Sequence, residues 1–310
     1  HPPFVIAEMS ANHNGDLGRA FAIMAAAKEA GAHALKIQTY TADGITIDHD
    51  GPGFRIEGGL WDGRTLHDLY DQAHTPWDWH PALFDKGREL GLMVFSSPFD
   101  FAAVDLLESL DAPAYKIASF ELVDLPLIRR CAATGKPLIM STGMADLEDI
   151  ALAIKAARDA GASEIALLHC TSGYPTPPED ADLRTIPHLA DAFGLVTGLS
   201  DHTPGIGTAV AATALGSALI EKHFTLDRDD GGPDAAFSLE PAELAALCAD
   251  VDIAWRALGR IRYDKSDSEK GNVQFRRSLY IVTDLAEGDI LTADNLRSIR
   301  PGFGLAPRYW

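Results

Sequence analysis

The 310-residue chain is long enough for one large domain and a small second one. Its formal net charge of −19 argues against non-specific binding to nucleic acid or to anionic membranes, which needs clustered Lys and Arg. Three widely spaced cysteines without a C-x-x-C pair indicate reduced thiols. The longest uncharged run, 205–220, is shorter than a membrane span and no signal peptide is visible, so we expect a cytoplasmic protein.

Strand-like apolar runs alternate with helical patterns along residues 4–258. The runs are 5–7, 34–37, 92–95, 114–117, 137–140, 165–168, 195–199 and 218–220. The helical patterns are 17–30, 81–90, 100–110, 125–134, 146–160, 183–193, 206–215 and 241–258. Such alternation predicts parallel βαβ units. Eight of them in residues 1–260 predict an α/β fold, the (β/α)8 TIM barrel.

A doubly wound open sheet is the alternative fold. Nearly every predicted strand ends in a polar residue, whereas an open sheet would concentrate such residues at one switch point. A barrel gathers all strand ends into one ring, and we therefore prefer it.

Two segments do not follow this alternation of strands and helices. Residues 41–79 hold many Gly and Asp residues together with Trp61, Trp77 and Trp79, and we expect an ordered lid or substrate wall there. After the barrel, residues 261–278 are expected to form a charged linker. Residues 279–310 are expected to begin a small second domain, with a strand at 278–282 and a helical turn at 292–296.

The barrel prediction collects many polar side chains in one ring. They are Glu8, Lys36, Gln38, Ser97, Lys116, Ser119, Glu121, Ser141, Ser172, Ser200, His202, Glu221, His223 and, from a later loop, Asp234. The lysines and hydroxyls suit a phosphate. The two histidines suit a divalent ion that polarises a carbonyl. The glutamates offer bases or hydroxyl-binding groups. Individually, each could instead form an ion pair, a turn or a helix cap.

Several segments, in order from residue 4 to about 304, resemble the sialic acid synthase family. They are Ile6-Ala7-Glu8, Asn12-His13-Asn14-Gly15, Lys36-Ile37-Gln38-Thr39, Tyr115-Lys116-Ile117-Ala118-Ser119, Ser141-Thr142-Gly143-Met144, His169-Cys170-Thr171-Ser172, Tyr174-Pro175-Thr176-Pro177, Gly198-Leu199-Ser200-Asp201-His202 and Glu221-Lys222-His223-Phe224-Thr225. Residues 7–12, 36–43 and 59–77 resemble the branch of this family that makes pseudaminic acid.

The resemblance implies condensation of phosphoenolpyruvate with 2,4-diacetamido-2,4,6-trideoxy-L-altrose, giving pseudaminic acid and phosphate. It implies a divalent metal, usually Mn with Mg or Co as alternatives, held by His202 and His223. Phosphoenolpyruvate would be held by Lys36, Ser97, Lys116, Ser141, Ser172 and Ser200. The acceptor sugar would meet Glu8, Gln38, Glu121, Tyr174 and Asp234. Either Glu8 or Glu221 could take the proton from the attacking water.

The resemblance also implies a domain-swapped homodimer in which an antifreeze-like C-terminal domain lends an arginine, matching Arg300, to the partner's site. Ser172 departs from the Asn of the sialic acid branch, and the chain stops inside that C-terminal domain, so we expect the swapped lid to be truncated.

Alternative functions stay open at this point. A legionaminic or N-acetylneuraminic acid synthase would use a related amino sugar. A Schiff-base aldolase would use Lys36 or Lys116 but leaves the histidines without a role, and a non-catalytic sugar-phosphate binding module would have the same fold.

Overall fold

A computed structural model describes residues 1–310, which divide into two compact units, His1–Leu258 and Gly259–Trp310. In the first unit eight parallel strands close into a barrel in chain order, which confirms the predicted α/β barrel. The strands are Phe4–Glu8 (β1), Ala34–Thr39 (β2), Met93–Pro98 (β3), Tyr115–Ile117 (β4), Leu138–Ser141 (β5), Ile165–Cys170 (β6), Val196–Asp201 (β7) and Leu219–His223 (β8). Strand β1 pairs with both β2 and β8, which closes the ring.

Helices connect successive strands of the barrel. Their bounds are Leu17–Glu29 (α1), Ala42–Ile45 (α2), Leu66–Ala73 (α3), His80–Leu90 (α4), Phe101–Ser109 (α5), Leu125–Ala132 (α6), Leu147–Asp159 (α7), Thr185–Phe193 (α8), Gly207–Ala214 (α9) and Pro241–Leu258 (α10). Asp100 and Asp146, where two of the predicted helical patterns begin, accept backbone N–H bonds in the first turns of α5 and α7. Such caps each contribute about 1 kcal/mol. No helix combines the length and the apolar character needed to cross a membrane.

The segment 41–79 contains α2 and α3 rather than loop alone. Helix α3 has eight residues and buries only Leu69, so its apolar periodicity is too short to be read from the sequence. The Trp61 indole donates to the Pro233 carbonyl, and the Trp77 indole donates to the Tyr40 carbonyl, each over 3.0 Å. These two bonds hold the segment against the barrel.

Every second side chain of a strand points into the barrel, because successive side chains point to opposite faces. These inward side chains form two layers. The lower layer is an apolar cluster formed by Ile6, Ala34, Phe95, Ile139 and Leu168. Gly198 fits into this layer, since a Cβ there would lie 2.3 Å from the Leu219 carbonyl oxygen. Two residues further along the strands, the inward positions are polar. The apolar plug closes the barrel, and the polar layer above it lies at the carboxyl ends of the strands, where active sites of such barrels lie.

The second unit contains a short helix, Asp267–Lys270 (α11), and a two-stranded antiparallel sheet. Its strands are Ser278–Ile281 (β9) and Leu296–Ile299 (β10), with Ser278 opposite Ile299. The strand at 278–282 was predicted. The turn predicted at 292–296 ends earlier, and Leu296 instead begins β10, whose four residues are too few and too polar to signal a strand.

Candidate active site

A network of four buried ionisable side chains lies in the polar layer. The Lys36 ammonium is 2.7 Å from Glu8 Oε2 and 3.6 Å from Glu221 Oε1. The Lys116 ammonium is 3.4 Å from the same Glu221 oxygen. All four residues are less than 5% exposed. Two ammonium groups therefore meet at one carboxylate inside the barrel.

Burial and neighbouring charges shift the pKa values of these four side chains in different directions. Burial alone would raise the pKa of Glu221, but the charges of Lys116 and Lys36 outweigh it and lower that pKa. Burial raises the pKa of Glu8 despite the opposing charge of Lys36. Burial lowers the pKa of Lys116. Glu221 is thus the anion that holds the lysines, and Glu8 is the carboxyl with the greater affinity for a proton.

Hydrogen bonds join further residues of the predicted ring to this network. Lys36 donates to Ser97 Oγ over 3.4 Å, and the Ser200 hydroxyl donates to Glu221 Oε1 over 3.2 Å. The Gln38 amide donates to Glu8 Oε1 over 2.9 Å. The structure therefore brings Glu8, Gln38, Ser97, Ser200 and the two lysines of the prediction together.

Two serine hydroxyls, one after β4 and one after β6, lie close together. The Gly143 N–H donates to Ser119 Oγ over 3.2 Å. A Cβ at Gly143 would lie 2.2 Å from Ser172 Oγ and 2.7 Å from Ser119 Oγ, so both hydroxyls lie against the Gly143 backbone. The hydroxyl of Ser141, the last residue of β5, is buried without a hydrogen-bond partner. Hydroxyls of this kind suit the oxygens of an anion.

Two imidazoles stand at the ends of β7 and β8. The ring centroids of His202 and His223 are 5.3 Å apart. His202 Nδ1 lies 3.0 Å from the Thr171 carbonyl, which can only accept, so Nδ1 carries a proton. Burial alone would lower the pKa of His202, but the contacts with Cys170 and with the Thr171 carbonyl outweigh it and raise that pKa. His223 Nδ1 is buried without a partner, and burial lowers the pKa of this ring well below its ordinary value.

Imidazole nitrogens suit a divalent transition-metal ion, and the Thr171 carbonyl orients the His202 ring so that its Nε2 is the nitrogen available to bind one. No group of three or more His, Cys, Asp or Glu side chains is arranged to hold an ion. An ion at His202 and His223 would therefore take its other ligands from water or from a substrate.

Aromatic side chains line the histidine pair. The Tyr174 ring is 4.5 Å from His202 and 5.8 Å from Trp61 between centroids, and the Phe237 ring is 4.9 Å from His223. The Trp61 contact brings the segment 41–79 to the site, as expected of a substrate wall. Phe237 was not predicted, because nothing in its local sequence separates it from a core aromatic.

The remaining predicted residues lie at different distances from this centre. Glu121 follows β4 with a buried, unpartnered Oε2, and burial raises its pKa to about 7. Asp234 is buried and accepts a hydrogen bond from Ser10. Arg300 follows β10 in the second unit and is exposed.

The segment 10–19 adds residues that were predicted only as a motif. Asn12 donates to the Phe224 carbonyl and to Ser238 Oγ, and Arg19 contacts Asp230 and Thr225. These bonds fasten the loop after β8. They join residues more than 200 positions apart in sequence, a distance across which the amino-acid pattern gives no signal.

A barrel with buried lysines, serine hydroxyls and an imidazole pair at one end suits an anionic substrate beside a divalent ion. Comparison with known proteins agrees. The NeuB family model matches residues 23–263. The pseudaminic acid synthase of Helicobacter pylori is 43% identical over 311 residues, covering 100% of this chain and 91% of the relative. An N,N'-diacetyllegionaminic acid synthase of Campylobacter jejuni is 37% identical, covering 98% and 92%.

Solved structures are similar over most of the chain. The N-acetylneuraminic acid synthetase of Leptospira borgpetersenii has a TM-score of 0.78 at 30% identity, covering 89% of this chain and 92% of that chain. The chain belongs to the NeuB family. This confirms the resemblance predicted from the sequence motifs.

Proposed function

We propose that this enzyme condenses phosphoenolpyruvate with 2,4-diacetamido-2,4,6-trideoxy-L-altrose to form pseudaminic acid and phosphate. The observation that carries this function is the meeting of two buried lysines, serine hydroxyls that include the unsatisfied Ser141, and an imidazole pair at one barrel end. The choice of sugar follows the 43% identity to pseudaminic acid synthases, against 37% and 36% to two legionaminic acid synthases.

Phosphoenolpyruvate is assigned to the part of the site that contains Lys36 and Lys116. Lys36 and Lys116 supply positive charge, and the hydroxyls of Ser97, Ser119, Ser141, Ser172 and Ser200 supply directed hydrogen bonds to phosphate and carboxylate oxygens. The unpartnered Ser141 hydroxyl supports this assignment. Holding both substrates in one ring replaces a bimolecular encounter by an oriented one.

His202 and His223 would hold a divalent ion, Mn²⁺ with Mg²⁺ or Co²⁺ as alternatives, which supplies Lewis-acid polarisation of the aldehyde carbonyl. C3 of the enol phosphate attacks that carbonyl carbon, and positive charge develops at C2, where water adds. One proton of this water is taken by a carboxylate and passed to the aldehyde oxygen, which becomes a hydroxyl. The tetrahedral centre then expels phosphate by C–O cleavage, and the remaining proton of its hydroxyl leaves with the phosphate, so that the keto group forms.

Glu8 is the better of the two carboxylates for taking the proton of the attacking water. Glu221 Oε1 is already engaged by Lys116, Lys36 and Ser200, which lowers its basicity. Glu8 has a raised pKa and lies 2.7 Å from the Lys36 ammonium, so a proton taken up there stays beside the donor site.

The second unit is proposed to belong to an antifreeze-like domain, and the enzyme is proposed to be a homodimer in which Arg300 reaches the partner's site. Large apolar side chains of this unit are exposed, among them Tyr263 at 99%, Ile290 at 81% and Phe303 at 76%. A surface of this kind favours burial against another chain.

Phosphate release, measured with each of three sugars, tests the function. The altrose derivative, its legionaminic counterpart and N-acetylmannosamine are compared with and without metal. We expect release only with donor, metal and sugar together, and fastest with the altrose derivative. His202→Ala should abolish turnover with a normal circular dichroism spectrum. Preference for N-acetylmannosamine would overturn the substrate, and full activity after chelation would overturn the metal.

A further inference from the structure

Ser10 has a backbone conformation that is unfavourable for its residue type. It lies two residues beyond the end of β1 with φ of 44°, in the left-handed region. Residues with a Cβ rarely adopt this region, and glycine adopts it freely. Such a conformation persists where the surrounding contacts impose it, and these cases cluster at functional sites.

The Ser10 hydroxyl links two residues that are assigned to the acceptor sugar. It donates to Asp234 Oδ2 over 2.5 Å and accepts from Gln38 Nε2 over 3.0 Å. Ser10 and Asp234 are both buried. The single hydroxyl proton is directed at the carboxylate, so the oxygen lone pairs face the amide of Gln38.

This bond fixes which end of the Gln38 amide faces the site. Gln38 Nε2 has two N–H groups, and one goes to Ser10 while the other goes to Glu8 Oε1 over 2.9 Å. The donors of the amide are then used up, and Oε1 remains as an acceptor. When it is ionised, the Asp234 carboxylate likewise offers only hydrogen-bond acceptors. The pair therefore selects a ligand that presents hydrogen-bond donors, such as acetamido N–H or hydroxyl groups.

We infer that Ser10 is a positioning residue that determines sugar specificity by orienting Gln38 and Asp234 toward donor groups of the acceptor. This role rests on the proposed function. At this unfavourable φ the Ser10 hydroxyl connects Asp234, in the loop after β8, to Gln38 in β2.

The substitution Ser10→Gly separates this role from folding. Glycine relieves the backbone strain, but it also removes the hydroxyl that partners the buried Asp234. The melting temperature of S10G should therefore lie above that of Ser10→Ala, which loses the same hydrogen bonds and keeps the strain. The KM for the acceptor sugar should rise about ten-fold, because the acceptors lose their fixed orientation. The KM for phosphoenolpyruvate should change less than about two-fold, and the preference for the altrose derivative over N-acetylmannosamine should shrink.

Two controls complete the experiment. Ser10→Ala keeps a Cβ at positive φ and should show the same rise in sugar KM with a lower melting temperature. Asp111→Gly changes another non-glycine residue at positive φ, 55°, in an exposed turn, and should leave both KM values unchanged. An S10G enzyme with wild-type sugar KM and wild-type sugar preference would overturn the inference. Absence of phosphate release by the wild type with every sugar would instead overturn the proposed function.

Discussion

The Lys222–Asp201 ion pair lies on the outer side of the barrel wall, between the two strands that carry the histidines. Lys222 Nζ is 3.0 Å from Asp201 Oδ2 and donates to the Thr203 carbonyl over 2.5 Å. The side chains are 0% and 1% exposed. Asp201 Oδ1 also accepts the Thr203 N–H over 2.9 Å. The pair therefore holds both sides of the turn that contains His202.

Lys222→Met should destabilise the protein strongly. Methionine fills a similar volume but leaves the Asp201 carboxylate buried without its counter-ion, and breaking a buried pair in this way costs about 3–5 kcal/mol. Urea unfolding followed by circular dichroism should show a loss of this size. The charge-neutral double variant Asp201→Asn/Lys222→Met should recover part of it, because no unpaired charge remains and Asn can still accept from Thr203 N–H.

The matched control is Lys155→Met on α7. The Lys155–Asp159 pair has side chains that are 70% and 61% exposed, and an exposed pair of this spacing contributes about 0.3–0.5 kcal/mol. A K222M loss below about 1 kcal/mol, close to that of the control, would refute the reasoning that burial makes this pair structurally essential.

Two further outcomes follow from unpartnered polar groups. The pKa of Glu121, raised from 4.5 to about 7 by burial, means that the folded protein binds this proton more tightly, so stability falls as pH rises through that window. The melting temperature of Glu121→Gln should therefore exceed that of wild type increasingly from about pH 5 to about pH 8, and a constant difference would contradict this. Ser141→Ala removes a buried, unsatisfied hydroxyl, so the free energy of unfolding should stay equal or rise by up to about 1 kcal/mol while the KM for phosphoenolpyruvate rises. A fall in stability with an unchanged KM would argue against an anion contact there.

The barrel could be predicted because its signal is local and repeated. Each strand is a short apolar run and each long helix has its own period, with caps such as Asp100 and Asp146 marking where helices begin. The polar ends of the strands also predicted which side chains share one face, since closing the ring brings them together whatever their sequence separation.

Features that depend on contacts between distant segments could not be read from the sequence. The bond between Ser10 and Asp234 joins residues 224 positions apart. Lys222 was visible only as the middle residue of a motif, although strand alternation places it outward when Glu221 and His223 face inward. The eight-residue helix α3 and the four-residue strand β10 were missed because neither is long enough to establish a period.

The four ionised groups at the barrel centre, Glu8, Lys36, Lys116 and Glu221, carry charges that sum to zero. A phosphorylated carboxylate entering this space brings several negative charges that these four groups together do not offset, and the divalent ion proposed at His202 and His223 would offset only part of them. Nearby negative charge raises the proton affinity of a carboxyl group, and Glu8 already has the greater affinity of the two glutamates. We therefore expect the binding of phosphoenolpyruvate to be linked to proton uptake. The heat of binding measured by calorimetry should then depend on the ionisation enthalpy of the buffer.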